Sequence, residues 1–300
     1  MGARDYASAL GVIIIWGLNF IAMKFALHDF TAFQMGAARY AAAVIPLVFL
    51  IQRPNLPWKW LISYGLFQGL GQFGFLFSAL AVGMTAGLAS VLMQTQVFFT
   101  ALLSYALLGD KPGRNLRMGL GLAALAIACF AMNFLAKDGQ STRAVTGWGF
   151  VFSLCAAAMW ASSNIVVRKL QATGKQYNPT AFLVWSSLAP ILPFMVLSWL
   201  VDAPATRWQW LQAGWVSWLS VAFLGWVATI AAYSMWTGLL QRHSANRVAP
   251  FSLGVPVVGL SAGMLILGEH ISAWQWAGIS LVAAALACVT LGDRIFGKNR

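Results

Sequence analysis

The chain has 300 residues, 60% of them hydrophobic and only 9% charged, with a mean hydropathy of +0.74. An ordinary soluble domain carries about a quarter charged residues, so a soluble globular protein is excluded, and ten membrane helices of about 20 apolar residues would leave no length for a separate soluble domain. The net charge of +12 therefore reads as Lys and Arg retained at one membrane face, not as a nucleic-acid surface.

In chain order, apolar stretches predict ten helical spans at 7–27, 33–51, 60–82, 85–108, 117–136, 148–170, 180–201, 213–236, 248–267 and 273–292. The alternating ten-residue strands of a membrane barrel are absent. Connections are short and carry turn chemistry at Arg53-Pro54-Asn55, Gly109-Asp110-Lys111-Pro112-Gly113, Asp138-Gly139-Gln140 and Asn178-Pro179. The first run is too long for a signal peptide and lacks a small-residue cleavage site, so it reads as a retained anchor. Cys129, Cys155 and Cys288 all lie within spans, at spacings that suit neither a metal site nor a disulfide framework, and read as packing residues.

With the N-terminus in the cytoplasm, fourteen Lys and Arg fall in inner loops and tails against three (Lys137, Arg143 and Arg207) in outer loops. Lys24 and Arg39 stay inside the first two spans. This asymmetry predicts a multi-pass protein of the cell inner (plasma) membrane with both termini cytoplasmic.

An internal repeat organises the chain. A shift of 159 residues sets Gly109-Asp110 on Gly268-Glu269, Gly119 on Gly278 and Cys129 on Cys288, and a shift of 145 sets Asn19 and Lys24 on Asn164 and Lys169. Five spans per half is an odd number, so the second half, 144–300, enters the membrane opposite to the first, 1–143. The predicted fold is all-α: ten transmembrane helices as two inverted five-helix repeats, with a substrate site near the midplane between them.

The chain resembles the EamA-type members of the drug/metabolite transporter superfamily. The likeness runs almost end to end and rests on Trp16-Gly17-Leu18-Asn19-Phe20, Gly87-Leu88-Ala89-Ser90 leading to Gln94-Thr95-Gln96, Arg247-Val248-Ala249-Pro250 through Val255-Pro256-Val257, and Gly268-Glu269. It implies an amino-acid exporter of the cysteine and O-acetylserine type. Asp110 stands where the family often has Glu, and Val97 where the second-half counterpart is Pro256.

Polar groups at membrane depth supply the candidate site. Gln68 and Gln72 are four residues apart in span three, and Gln94 lies near the middle of span four. Their amides offer donors and acceptors without formal charge, suited to both ends of a zwitterion, or alternatively to interhelical hydrogen bonds. Gln96, about 200° round the helix from Gln94, is expected to pack elsewhere. Asn19 and Asn164, each near a tryptophan at Trp16 and Trp160, pin a helix crossing or touch substrate. Trp160, Tyr233 and Trp236 offer an apolar wall. Arg39, about 10 Å into span two by helix rise, attracts a substrate carboxylate or caps carbonyls of neighbouring helices. Pro250 and Pro256 remove donors from span nine and free carbonyls one turn earlier, making a hinge or a static bend. Lys24, a turn from the end of span one, is expected to snorkel.

No paired carboxylates, metal ligands or activated nucleophile come together in the sequence, so neither an enzyme nor a cofactor or metal is expected. The expected partners are a small-molecule substrate and the lipid bilayer, with no nucleic acid and with a monomer compatible. The expected activity is amino-acid export by alternating access, the alternative being a drug/metabolite carrier for other small organic solutes. All seven acids, Asp5, Asp29, Asp110, Asp138, Asp202, Glu269 and Asp293, fall in loops, tails or span ends, so no midplane proton carrier is expected.

Overall fold

The computed structural model describes residues 1–111, 113–135, 146–243 and 248–296. Among the described residues there is no strand, and the helices join end to end into ten rods at the predicted places. Seven are long and apolar enough to cross a membrane: Ala3–Ala26, Ala32–Leu50, Ala86–Leu108, Arg114–Met132, Gly147–Gln171, Pro179–Val201 and Trp215–Leu239. Phe251–Leu267 and Ala273–Val289 are shorter apolar helices. Span three runs through Trp58–Tyr64, Gly65–Phe73 and Gly74–Ala81.

Local chemistry sets the ends. Thr31, Thr85, Thr146 and Asn178 begin their helices by accepting the N–H of Gln34, Leu88, Gly149 and Ala181, donors with no acceptor inside the helix. Spans four and nine stop at Gly109 and Gly268, whose φ values of +74° and +64° penalise any residue with a Cβ. The N–H of the acid that follows each glycine then reaches back six residues, Asp110 to the Ser104 carbonyl at 3.3 Å and Glu269 to that of Gly263 at 3.1 Å.

Packing repeats between the halves. Span one lies against spans eight and nine, as span six lies against three and four, while spans two and seven pack on each other, as do five and ten. This is an inverted pair of five-helix units. Its predicted boundary at 143 and 144 lies outside the described residues. The irregularities repeat as well. Nine residues of wide π-helix, Gly65–Phe73 and Phe223–Ala231, interrupt spans three and eight, and tight 3-10 stretches, Met93–Thr95 and Ala249–Leu253, interrupt or open spans four and nine.

Two expectations change here. Span nine is not an α-helix kinked by two prolines. Pro250 lies in the 3-10 stretch and Pro256 in the first turn of the α-helix Gly254–Leu267, where a missing N–H costs little. Lys24 does more than snorkel, because its Nζ donates to the Leu80 carbonyl at 3.0 Å, in the last turn of Gly74–Ala81, where a cation is favoured.

Candidate functional site

A cavity of about 680 Å³ lies at the junction of the halves, walled by spans one to four, six and eight to ten. Nine of the predicted residues line it: Trp16, Asn19, Arg39, Gln72, Gln94, Trp160, Asn164, Tyr233 and Trp236. Gln68 does not. It sits behind the wall, where its Oε1 accepts the Ser163 hydroxyl at 2.8 Å and its Nε2 donates to the Tyr233 hydroxyl at 3.0 Å.

The aromatic wall is centred on Trp16, whose ring lies 5.0 Å from that of Tyr233 and 5.5 Å from that of Trp236. Its Nε1 donates to the Ala228 carbonyl at 3.2 Å, so the indole is fixed by the backbone of span eight. Trp160 faces the cavity from span six.

The two repeat-related asparagines do different work. Asn19 accepts Nη1 of Arg39 at 3.3 Å, joining spans one and two. Asn164 donates to Gln96 Oε1 at 2.9 Å and to the Thr100 hydroxyl at 3.2 Å, joining spans six and four. Gln96 therefore packs between helices, as expected, yet it also lines the cavity. The 3-10 stretch Met93–Thr95 shifts the helix phase between Gln94 and Gln96, which a uniform 100° per residue does not foresee.

Arg39 is 2% exposed. Besides Asn19 it donates Nη2 to the Thr229 hydroxyl at 3.0 Å, and its guanidinium carbon lies 3.9 Å from the centroid of the Phe73 ring. Among the described residues these partners are side chains, with no backbone carbonyl among them. Arg39 Nε and Gln72 Oε1 are buried without a hydrogen-bond partner. Phe73, Tyr64 and Ser90 also face the cavity. Nothing in their spacing singles them out from the many other aromatic and hydroxyl residues of the chain.

The two ends of the molecule differ. On the side that carries the N-terminus the cavity reaches Arg168, a half-exposed side chain that holds Asp110 Oδ2 and the Ser104 hydroxyl, both at 2.5 Å. On the opposite side the Glu269 carboxylate accepts the N–H groups of Ala86 at 2.6 Å and Gly87 at 2.9 Å, tying the end of span nine to the start of span four. A carboxylate at a helix N-terminus meets unsatisfied donors and the positive end of the helix dipole. Asp110 and Glu269 thus both end helices through their backbones, while their carboxylates hold different partners. On this same side Asp29, between spans one and two, accepts the Gly214 N–H at 2.8 Å, the Ser217 hydroxyl at 2.8 Å and His28 Nδ1 at 2.7 Å. The Gly214 N–H first, then His28 and Ser217, hold its carboxyl below the usual carboxylate range. Among the described residues no three His, Cys, Asp or Glu side chains gather to hold a metal.

Comparison with known proteins agrees with this architecture. The profile of the EamA-like transporter family matches residues 5–132 and 147–291. A protein of Escherichia coli (strain K12) named "Probable amino-acid metabolite efflux pump" is 37% identical over 295 residues, 98% of this chain and 97% of its own. A protein of the same name from Salmonella typhimurium (strain LT2) is 36% identical over 296 residues, 98% and 97% of the two chains. The Bacillus subtilis (strain 168) "Uncharacterized transporter YoaV" is 29% identical over 273 residues, 88% of each. A solved structure superposes over 99% of both chains with a TM-score of 0.55 at 19% identity, a likeness of fold alone. Matched in both halves and over most of its length, the chain belongs to the EamA-like transporter family.

Proposed function

We propose that the chain exports amino acids or closely related small metabolites across the cell inner membrane, by alternating access between its two inverted halves. The observation that carries this reading is a cavity at the junction of the halves whose lining extends to Arg168 on the side of the N-terminus, while on the opposite side Glu269 joins spans nine and four, a contact that in this reading keeps that face closed. Its volume of about 680 Å³ lies within the range of sites for one small molecule, roughly 300–1,000 Å³. The repeat junction is also where secondary transporters bind. The names of the Escherichia coli and Salmonella relatives support the substrate class.

In this reading the amides of Gln72, Gln94, Asn19 and Asn164 meet the polar groups of the solute, while Trp16, Trp160, Tyr233 and Trp236 enclose its apolar part. Gln68 positions Tyr233. Pro250 and Pro256 flank the change of helix type at which span nine flexes, and the chain divides into its two repeats at 143 and 144. The basic asymmetry supports cytoplasmic termini, so the open face is the one that loads substrate for export. The cluster of Trp16, Tyr233 and Trp236 favours, as a second reading, a carrier of other small organic solutes.

The test is counterflow in liposomes holding the purified protein, with each labelled amino acid in turn and an aromatic organic cation for comparison. Exchange of an amino acid supports the first reading; exchange of the cation alone moves the assignment to the second.

A further inference from the structure

The cavity holds one charge that no group among the described residues balances. Arg39 is 2% exposed, yet its partners, Asn19 Oδ1, the Thr229 hydroxyl and the Phe73 ring, are all neutral. No carboxylate lies within 4 Å of it among the described residues. Buried charges are ordinarily paired, because a low-dielectric surrounding penalises an isolated ion. A guanidinium has five N–H donors in a planar fork, of which two here find acceptors, and the Nε donor is buried without one.

The rest of the wall does not correct this imbalance. Among the described lining residues the other charged one, Arg168, is already paired with Asp110 at 2.5 Å. No acid is among the described lining residues. Among the described lining residues a ligand ammonium therefore meets only neutral acceptors, Gln72 with its unpartnered Oε1 among them, and it meets them in the field of a like charge. A carboxylate meets a guanidinium of opposite charge whose five N–H donors are only partly used by the protein, and such charge-assisted bonds to Arg are the strong ones.

We infer that Arg39 is the carboxylate anchor of the transport site, and that the site selects its ligands by their carboxylate and not by their amine. The inference rests on the reading of the chain as a carrier of amino acids and their metabolites, and it narrows that class. Ligands are small free acids of net charge zero or minus one, so amino acids whose nitrogen is acylated, and the corresponding hydroxy acids, are accepted alongside the parent zwitterions. Carboxamides, esters and decarboxylated amines are refused.

The experiment is counterflow in proteoliposomes with labelled L-serine, L-leucine and L-phenylalanine. Each is challenged by its unlabelled free acid, its N-acetyl derivative, its carboxamide and its decarboxylated amine. The expected pattern is competition by free and N-acetyl acids within about threefold of one another, with amides and amines at least tenfold weaker. In Arg39→Gln the preference for acids disappears, and the ligand-free protein unfolds at or above the parental midpoint because an unpaired buried charge has gone; Arg39→Lys keeps the preference with weaker binding. Amides competing as well as acids overturn the inference while leaving amino-acid export intact. Preference surviving in Arg39→Gln overturns it whatever the midpoint. If none of the three labelled amino acids exchanges at all, the export reading falls, and this inference falls with it.

Discussion

The carboxylate of Glu269, two residues beyond Leu267 at the end of span nine, accepts the backbone N–H of Gly87 at 2.9 Å in the first turn of span four. The contact is tight by construction, because a Cβ on Gly87 would stand 3.1 Å from the same Oε2, and one on Gly263 would stand closer still. Charge-assisted hydrogen bonds contribute about 1.5–3 kcal/mol each. Glu269→Ala, and equally Gly263→Ala, should therefore open the face away from the termini by tenfold or more. A cysteine placed at Ser90, with Cys129, Cys155 and Cys288 replaced, should react faster with an impermeant thiol reagent applied from that face. Unchanged reactivity in both variants would show that the Glu269 contact does not hold the face closed.

Gln72 and Gln94 should matter more for transport than for folding. Gln72 Oε1 has no protein partner, so Gln72→Leu removes a buried unsatisfied acceptor and should not lower membrane expression, whereas losing one solute hydrogen bond of about 1.4 kcal/mol costs about tenfold in rate. The same loss is expected for Gln94→Leu. Parental flux per molecule in both variants would remove the amides from the site.

Gly17 and Gly11 share span one but should respond in opposite ways to alanine. A Cβ on Gly17 would fall 2.5 Å from Val258 Cβ and 3.2 Å from the Gly259 nitrogen, whereas on Gly11 the nearest atom is the end of Met235 at 3.9 Å. Gly17→Ala should cost about 1–3 kcal/mol from overpacking the crossing of spans one and nine. Gly11→Ala should gain up to about 1 kcal/mol of helix propensity. Thermal unfolding midpoints in one detergent decide it, and equal shifts in the same direction would contradict the close crossing.

Asp29 gives a pH dependence with a defined sign. Its carboxyl is held below the ordinary range, chiefly by the Gly214 N–H and His28, so the folded state favours the ionised form. Stability from this group is present above the unfolded value of about 3.9 and is lost as pH falls through the lower folded value. The difference in unfolding midpoint between the parent and Asp29→Asn should be constant above about pH 5 and should shrink below about pH 4. A difference that grows on acidification would reverse the assignment.

Transport should run without obligatory proton movement. The described residues that line the cavity include no Asp, Glu or His, the groups that carry protons in coupled carriers. With amino acid equal on both sides of a proteoliposome, an imposed pH gradient should drive no net accumulation. Accumulation abolished by a protonophore would point instead to Glu269.

The positions of the ten rods were legible because hydropathy alone dictates which segments enter lipid. The repeat was legible because Gly109-Asp110 and Gly268-Glu269 stop two helices by the same backbone geometry. Nine cavity residues could be named because polar and large aromatic side chains at midplane depth have few other places to go. What stayed hidden depends on helix phase and on partners far away in sequence. Gln96 reaches the cavity through a 3-10 turn, Gln68 is drawn behind the wall by Ser163 and Tyr233, and Lys24 finds the Leu80 carbonyl 56 residues away. Asn19 and Asn164 occupy matching depths, but their partners come from different spans, and no comparison of the two stretches with each other predicts that.

The paired π-helices carry a history. Gly65–Phe73 and Phe223–Ala231 stand 158 residues apart, against the 159 that brings the Gly-acid turns into register, and π-helix accounts for well under 1% of residues in general. Two separate origins at equivalent points are a poor explanation beside one origin in a shared ancestor. The widened turn then belongs to the repeated five-helix unit itself, and each half lays its own feature over it: an arginine without a counter-ion among the described residues in one, an acid that clasps its neighbour in the other.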